Sequence, residues 1–430
     1  MTTAAPTPTG QTRLGAVKRM VSTGVSQSAV ALDQLVFSAI TFAVQLVAAP
    51  VTTDAEFGVF SLIAIVQIGQ WYLGRAIGAE PLLVAKTVSS NDTRGVRGAA
   101  AASLLVGVAI SVGCLVVALF VSGPARTLLL IQAFASPFTA VLDHSRYVNY
   151  AKQKPMRALF TDASWLVLFL AAVGTTILVG ELNATGTYLL WALACVPLTL
   201  VAVALTGTPL AFGAVKDWVR SRRTLLPGFL IDAVYLTAGT WATFGVTAVV
   251  TGLDGLGLLR KALVPVTALT VLFIGISNSL LAHLAGRTPR EVVRAPMLVS
   301  AAAAVVSAMA ALLTLVLPSG LMTTALGTPW DGLRPVVLLL LVYAFLLATA
   351  QTAMVAAKAS GRAWLGPRVR TVQFVTELTL VASLGWWLGV IGVALGMTVA
   401  WLVAAGLAWG GVLRHGDQPV PEAEPTASAS

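Results

Sequence analysis

Apolar runs of about 20 residues alternate along the chain with short polar breaks rich in Arg, Lys, Gly and Pro. A helix that crosses the hydrocarbon core of a bilayer needs about 20 mostly apolar residues. The pattern predicts twelve of them, near 27–49, 57–79, 99–121, 127–149, 159–180, 185–206, 227–250, 256–284, 295–317, 335–357, 367–388 and 390–412. Composition agrees. Hydrophobic residues make up 57% of the 430 and charged residues 10%, where a soluble domain carries about a quarter charged. Mean hydropathy is +0.88. The expected class is an all-α integral membrane protein. The first apolar run starts near Val25, with no signal-peptide pattern before it.

The basic residues alternate in side. With a cytoplasmic N-terminus, the inner segments carry 23 of the 27 Lys and Arg residues, and only Arg126, Arg260, Lys261 and Arg334 fall outside. That is the skew expected of a bacterial-type plasma membrane protein with both termini inside. The net charge of +10 therefore follows topology and anionic membrane lipid, and no nucleic-acid partner is expected. The longest outer loop, 318–334, has no room for a catalytic domain, and residues 414–430 read as a disordered cytoplasmic tail.

A shift of 199 residues brings two stretches into register. Asp33 falls on Asp232, Thr41 on Thr240, Thr52 on Thr251 and Gly58 on Gly257, with nine identities in the 26 positions from 33 to 58. Six spans per half is even, so both halves share one orientation. The repeat is parallel, with a pseudo-two-fold along the membrane normal. The expected organisation is a cytoplasmic N-terminal segment (1–24), an N-lobe (25–206), an inter-lobe loop (207–226), a C-lobe (227–413) and the tail. Two six-helix lobes around a central cavity is a transporter plan.

Ionisable groups within spans are costly and are functional candidates. Asp33 and Asp232 share one depth; each would bind a coupling cation or proton, or pair with a cavity Arg or a neighbouring helix. Arg75, with Glu80 five residues on, reads either as a bidentate phosphate grip or as a snorkelling end residue. Arg260 and Lys261 break the positive-inside pattern, and at least one is expected to face a hydrated cavity; Pro265 on the same span suggests a kink. Asp143 and Arg146 are spaced to pair on one helix face. Asp162 and Glu377 are expected to open their spans and complement the helix dipole. Cys114 and Cys195 read as buried hydrophobes, and the three histidines match no metal-ligand spacing. No cofactor is expected, and no glycine loop of the ATP-binding type is present.

Asp54 and Glu56, in VTTDAEFGVF, raise a separate possibility. Glycosyltransferases and ligases that use lipid-linked sugars carry acidic motifs in a first outer loop. Such enzymes need large outer elements to hold an acceptor, however, and both halves of the repeat share the corner and its Gly. The corner reading is preferred to a catalytic pair.

TDAEFGVFSLIAIVQ, the basic connections SRYVNYAKQKPMR and AKASGRAWLGPRVR, and GVIGVALGMTVAWLV between the last two spans together resemble the polysaccharide-exporting flippases of the multidrug/oligosaccharidyl-lipid/polysaccharide (MOP) superfamily. The likeness covers residues 20–412. It implies a V-shaped, two-lobed bundle that alternates between inward- and outward-facing states. The implied cargo is a polyprenyl-pyrophosphate-linked oligosaccharide, moved to the outer leaflet for cell-surface polysaccharide synthesis alongside a polymerase or other assembly proteins. In that role Arg75, Arg260 and Lys261 match the cationic cavity, with Asp33 and Asp232 as pairing or coupling groups. Twelve spans rather than fourteen argue against the peptidoglycan-precursor branch. The few Arg and Lys residues at the span centres leave a cation-coupled multidrug exporter as the alternative.

Overall fold

The computed structural model describes residues 10–84, 93–180, 182–207, 210–284, 288–360, 362 and 364–414. Lys86 and Arg287, both counted in the inner basic segments, His415 and the tail beyond Arg414 lie outside the described residues. Among the described residues the regular structure is all helical. This suits a chain in lipid, where each spanning segment has to satisfy its own backbone groups.

Ten helices are long and apolar enough to cross a membrane, but two of the candidate spans run to 52 and 49 residues. At 1.5 Å per residue either would be more than twice as long as the hydrocarbon core is thick. Each breaks at a glycine with positive φ: Gly252 (φ 76°) and Gly389 (φ 60°), a backbone region where a Cβ clashes. The chain reverses at both points. The Arg260 guanidinium lies 4.9 Å from the Phe244 ring centroid, although 16 residues of straight helix would put them roughly 24 Å apart. Likewise, a Cβ on Gly396 would stand 2.9 Å from the Leu380 and Val381 backbone. Ten helices thus become twelve spans, and the chain is a multi-pass membrane protein.

The spans are α1 (Gly10–Ala48), α2 (Asp54–Gly74, continued through a π-turn at Arg75–Ala79 to Val84), α3 (Thr93–Ala118), α4 (Gly123–Ala151), α5 (Pro155–Val179) and α6 (Ala184–Thr206). They continue with α7 (226–251), α8 (253–284), α9 (Pro289–Val316), α10 (Trp330–Ala359), α11 (365–388) and α12 (390–413). Pro265 sits inside α8, and the one non-helical residue of the α7–α8 hairpin is Gly252. The bundle has a corner end, where α1 turns into α2, and a basic end, where α2 approaches α3.

The two-lobe repeat fits this architecture, and one contact makes it visible. A Cβ on Gly58 would stand 2.7 Å from the carbonyl oxygen of Leu253, and one on Gly257 would stand 1.7 Å from that of Asp54. Residues 54 and 58 are the 199-shift partners of 253 and 257. Each lobe therefore presses a glycine onto the same position of the other, a self-complementary contact about a pseudo-two-fold. Only a residue without a Cβ lets α2 and α8 approach so closely.

The inter-lobe connection is partly ordered. A short helix, Val215–Ser221, lies on the N-lobe, with Trp218 buried and its Nε1 donating 2.9 Å to the carbonyl of Ile77 in the π-turn. Ala214 abuts Gly98 in α3. The α4–α5 connection also has a structural task. Lys152 Nζ and Arg157 Nη1 donate to the carbonyls of Thr206 and Leu205 at 2.8 and 2.5 Å, filling acceptors at the α6 C-terminus that the helix leaves free. In the loop 318–334, Ser319–Leu326 forms a helix, and Gly327 (φ 63°) folds against Pro50 of the α1–α2 corner.

Candidate functional site

Five ionisable side chains meet inside the N-lobe. Arg75 is aimed inward by the π-turn, where the Glu80 N–H reaches back five residues to the Arg75 carbonyl. Its Nε and Nη2 grip both oxygens of Asp143 at 2.8 and 2.7 Å. Arg146, one turn further along α4, touches three carboxylates: Asp143 at 3.2 Å, Asp33 on α1 at 3.1 Å and Asp162 on α5 at 2.7 Å. Its guanidinium lies 4.0 Å from the Phe37 ring centroid. Tyr150, one turn beyond, donates to Asp33 and accepts from Gln34 Nε2 at 2.9 Å. All five charges are buried. Formally there are three negative charges against two positive. The outermost member faces the other lobe, since Gln34 Oε1 lies where a Cβ on Gly275 of α8 would stand 2.4 Å away.

A neutral polar seam continues from this cluster toward the corner end. Gln132 Nε2 donates to Gln67 at 2.9 Å and to Ser136 at 2.8 Å, Thr139 donates to Gln67 at 3.1 Å, and Tyr188 donates to Gln132. It ties α2, α4 and α6 together through bonds that cost little in a dry interior because most of their members are matched.

The C-lobe is built differently. Asp232 on α7 takes Lys358 Nζ, at the end of α10, at 2.7 Å. Arg370 Nε, on α11, comes to 3.5 Å of the other carboxylate oxygen without a hydrogen bond. Glu377, also on α11, accepts from Thr243 at 2.7 Å and from Gln373. Arg370 lies 4.9 Å from the Trp401 ring centroid.

Between the lobes, toward the corner end, Lys261 is wholly buried and pairs with Asp54 at 2.8 Å, with further bonds to Thr328 and the Thr52 carbonyl. Arg260, also buried, donates to Gln45 of α1 at 3.3 Å. Among the described residues no carboxylate lies within 4.0 Å of it. Glu56 belongs to the helix start: it accepts from the Thr53 N–H at 2.9 Å while its own N–H donates to Thr53 Oγ1 at 3.2 Å. That is a capping box. The acidic pair of the DAE stretch is thus divided, one carboxylate to a cap and the other to a lobe-to-lobe ion pair.

Several expectations are corrected. Asp162 and Glu377 do not open their helices, which begin earlier, at Pro155 and Leu365; each sits deeper and is held by side chains rather than by a helix terminus. Arg75 neither snorkels nor presents a free fork, because Asp143 fills it. Arg260 and Lys261 are both buried, so neither lines open water here. Asp143 and Arg146 do pair, but as one edge of a larger network. Glu80 is partly buried, with no ion pair among the described residues, within electrostatic reach of Lys358, Asp232 and Arg75. Gln34, Tyr150, Thr243 and Gln373 were not anticipated, and Lys358 and Arg370 were read as flanking charges. The one sequence signal that finds some of them is spacing: Arg370, Gln373 and Glu377 stand at i, i+3 and i+7, on one face of α11.

No sequence-family model and no curated protein matches the chain. Solved structures do. An outward-facing multidrug-resistance MATE-family transporter of the MOP superfamily superposes with a TM-score of 0.68 at 13% identity, over 91% of this chain and 95% of the other. Its inward-facing counterpart gives 0.67 at 12%, over 91% and 98%. This is the fold of the MOP transporters. A further MOP-superfamily transporter, from Pyrococcus furiosus, described as having a binding pocket of reversed polarity that suggests a different function, gives 0.67 at 13%, over 90% and 95%. In the MOP fold found here, the N-lobe cluster, the C-lobe cluster and Arg260 with Gln45 lie on α1, α2, α7, α8, α10 and α11, with α4 and α5 completing the first.

Proposed function

We propose that the chain is a non-enzymatic, alternating-access flippase that carries a polyprenyl-pyrophosphate-linked oligosaccharide across the plasma membrane for cell-surface polysaccharide synthesis, with the basic end cytoplasmic. One observation carries the anionic part of this reading. Arg260 is a buried guanidinium between the lobes with an amide and an aromatic face for company and, among the described residues, no carboxylate within 4.0 Å. A buried charge without a partner is strongly disfavoured; a pyrophosphate head would supply the missing counter-charge, whereas a cationic drug would add to the imbalance. The P. furiosus transporter, described as having a binding pocket of reversed polarity, is consistent with this reading. Of Arg75, Arg260 and Lys261, Lys261 and Arg75 are already neutralised by Asp54 and Asp143, so that of these three Arg260 is the one left to meet the head group. Coupling to a proton or cation falls to the N-lobe, where Asp33 belongs to a cluster with one formal negative charge in excess. Asp232, held between two cations, is a pairing group. A polymerase or other assembly protein would receive the flipped glycan.

The second reading is a cation-coupled multidrug exporter. It draws on the MATE neighbours and on the N-lobe's acidic excess. Both corner carboxylates are engaged in holding the corner, which favours transport over a glycosyltransferase or ligase using Asp54 and Glu56.

The test is leaflet movement of a fluorescent polyprenyl-pyrophosphate sugar in proteoliposomes of the purified chain, reported by an impermeant quencher. The expected result is protein-dependent movement that Arg260→Ala lowers by at least about tenfold, the effect of a lost charge-assisted contact. Absence of movement with several lipid-linked sugars, together with proton-driven export of a cationic dye, would transfer the reading to the multidrug branch.

A further inference from the structure

A guanidinium has five N–H donors and, when buried, ordinarily has them filled. In the N-lobe that holds for most of them: Arg75 is bidentate on Asp143, and Arg146 touches Asp33, Asp143 and Asp162. Arg370 is the exception. It is 1% exposed, yet Nε, Nη1 and Nη2 all lack a hydrogen-bond partner. Its nearest carboxylate, Asp232, is 3.5 Å away and gives its better oxygen to Lys358. The indole of Trp401 covers one face of the guanidinium and leaves the in-plane donors free. Among the described residues Asp232 is the one carboxylate within 4.0 Å of either cation, and the second of them is under-bonded.

Glu377, on the same face of α11, is within electrostatic reach of Arg370 but accepts its hydrogen bonds from Thr243 and Gln373. Tyr343 on α10 is within electrostatic reach of both Arg370 and Arg260. Tyr72, which α2 brings from the N-lobe, is within reach of Arg370 and Asp232. The planar fork matches phosphate oxygens in pairs, which an ammonium does not.

We propose that Arg370 anchors an oxyanion site, between α7, α10 and α11, that takes a phosphate-type group. This deepens the flippase reading and rests on it for the source of the anion: the pyrophosphate of the lipid-linked cargo. Asp232 acts as the internal competitor that holds Arg370 when the site is empty.

The test is calorimetric titration of the full chain in nanodiscs with inorganic pyrophosphate and, separately, with a short-chain polyprenyl pyrophosphate. Arg370→Gln is expected to weaken binding by at least about tenfold. Arg370→Lys keeps the charge that balances Asp232, guards against misfolding, and is expected to fall between the two. Asp232→Asn removes the competitor and is expected to tighten binding several-fold, a sign that a purely structural Asp232 would not give. Tighter binding of the prenylated probe assigns the source to a lipid head group; equal binding assigns the site to free anion and overturns the lipid source. Unchanged affinity in Arg370→Gln, or weaker binding in Asp232→Asn, overturns the site. The two proposals fail separately. Flipping that survives Arg370→Gln rejects this site and leaves the flippase, whereas Arg370-dependent binding without flipping leaves the site and rejects the flippase.

Discussion

Asp33 and Asp232 hold the same place in the two halves of the repeat and live in opposite surroundings. Asp33 joins Asp143 and Asp162 around Arg146, a knot of buried charge in which acids outnumber bases and α1, α4 and α5 are bound together. Asp232 is outnumbered by Lys358 and Arg370, and one of those two is poorly bonded. The backbone plan is symmetric and the chemistry is not. A duplicated lobe can thus keep its helix packing while its interior charge balance changes, since packing is decided by small residues at contacts such as Gly58 and Gly257 and charge by a few long side chains.

The comparison breaks first at its two arginines. Arg146→Met leaves Asp33 and Asp162 buried without a cation and is expected to cost about 3–5 kcal/mol, read as a large fall in melting temperature by intrinsic fluorescence in detergent. Arg370→Met, with Lys358 still on Asp232, is expected to lower it several-fold less. Equal losses would mean that the lobes hold their charges alike. The next effect concerns the symmetric contact. Gly257→Ala places a Cβ 1.7 Å from the Asp54 carbonyl, and Gly58→Ala one 2.7 Å from that of Leu253. Both are expected to destabilise, by about 1–3 kcal/mol as overpacking does, with the larger fall at Gly257. The smallest is Thr53→Ala, which opens the capping box for about 1 kcal/mol and leaves leaflet movement unchanged. A loss of movement there would reopen the corner as a functional site.

The spans were legible because hydropathy reports membrane thickness, and the repeat was legible because Asp33, Thr41, Thr52 and Gly58 each carry a partner 199 positions on. Hydropathy does not report where a helix begins. α5 starts at Pro155, ahead of the apolar stretch at 159–180, so the sequence assigns Asp162 to a helix opening it does not occupy; Glu377 lies well inside the 367–388 stretch, whose start agrees with α11, and its assignment to an opening fails on that spacing alone. The same limit turned Lys358 and Arg370 into flanking charges. The Arg75–Asp143 pair joins residues 68 apart, a meeting that no local spacing announces and that rests on a π-turn without a sequence signature. What spacing could carry, the Asp143–Arg146 edge, it did carry; the other two carboxylates came from different helices.

Gly252 and Gly389 each turn the chain with a single residue. The α7–α8 and α11–α12 hairpins consequently have no loop to lengthen, cut or label. A fluorophore, protease site or epitope meant to report on the corner end has to go into the segments around 119–122 or 318–329 instead, where the chain has residues to spare.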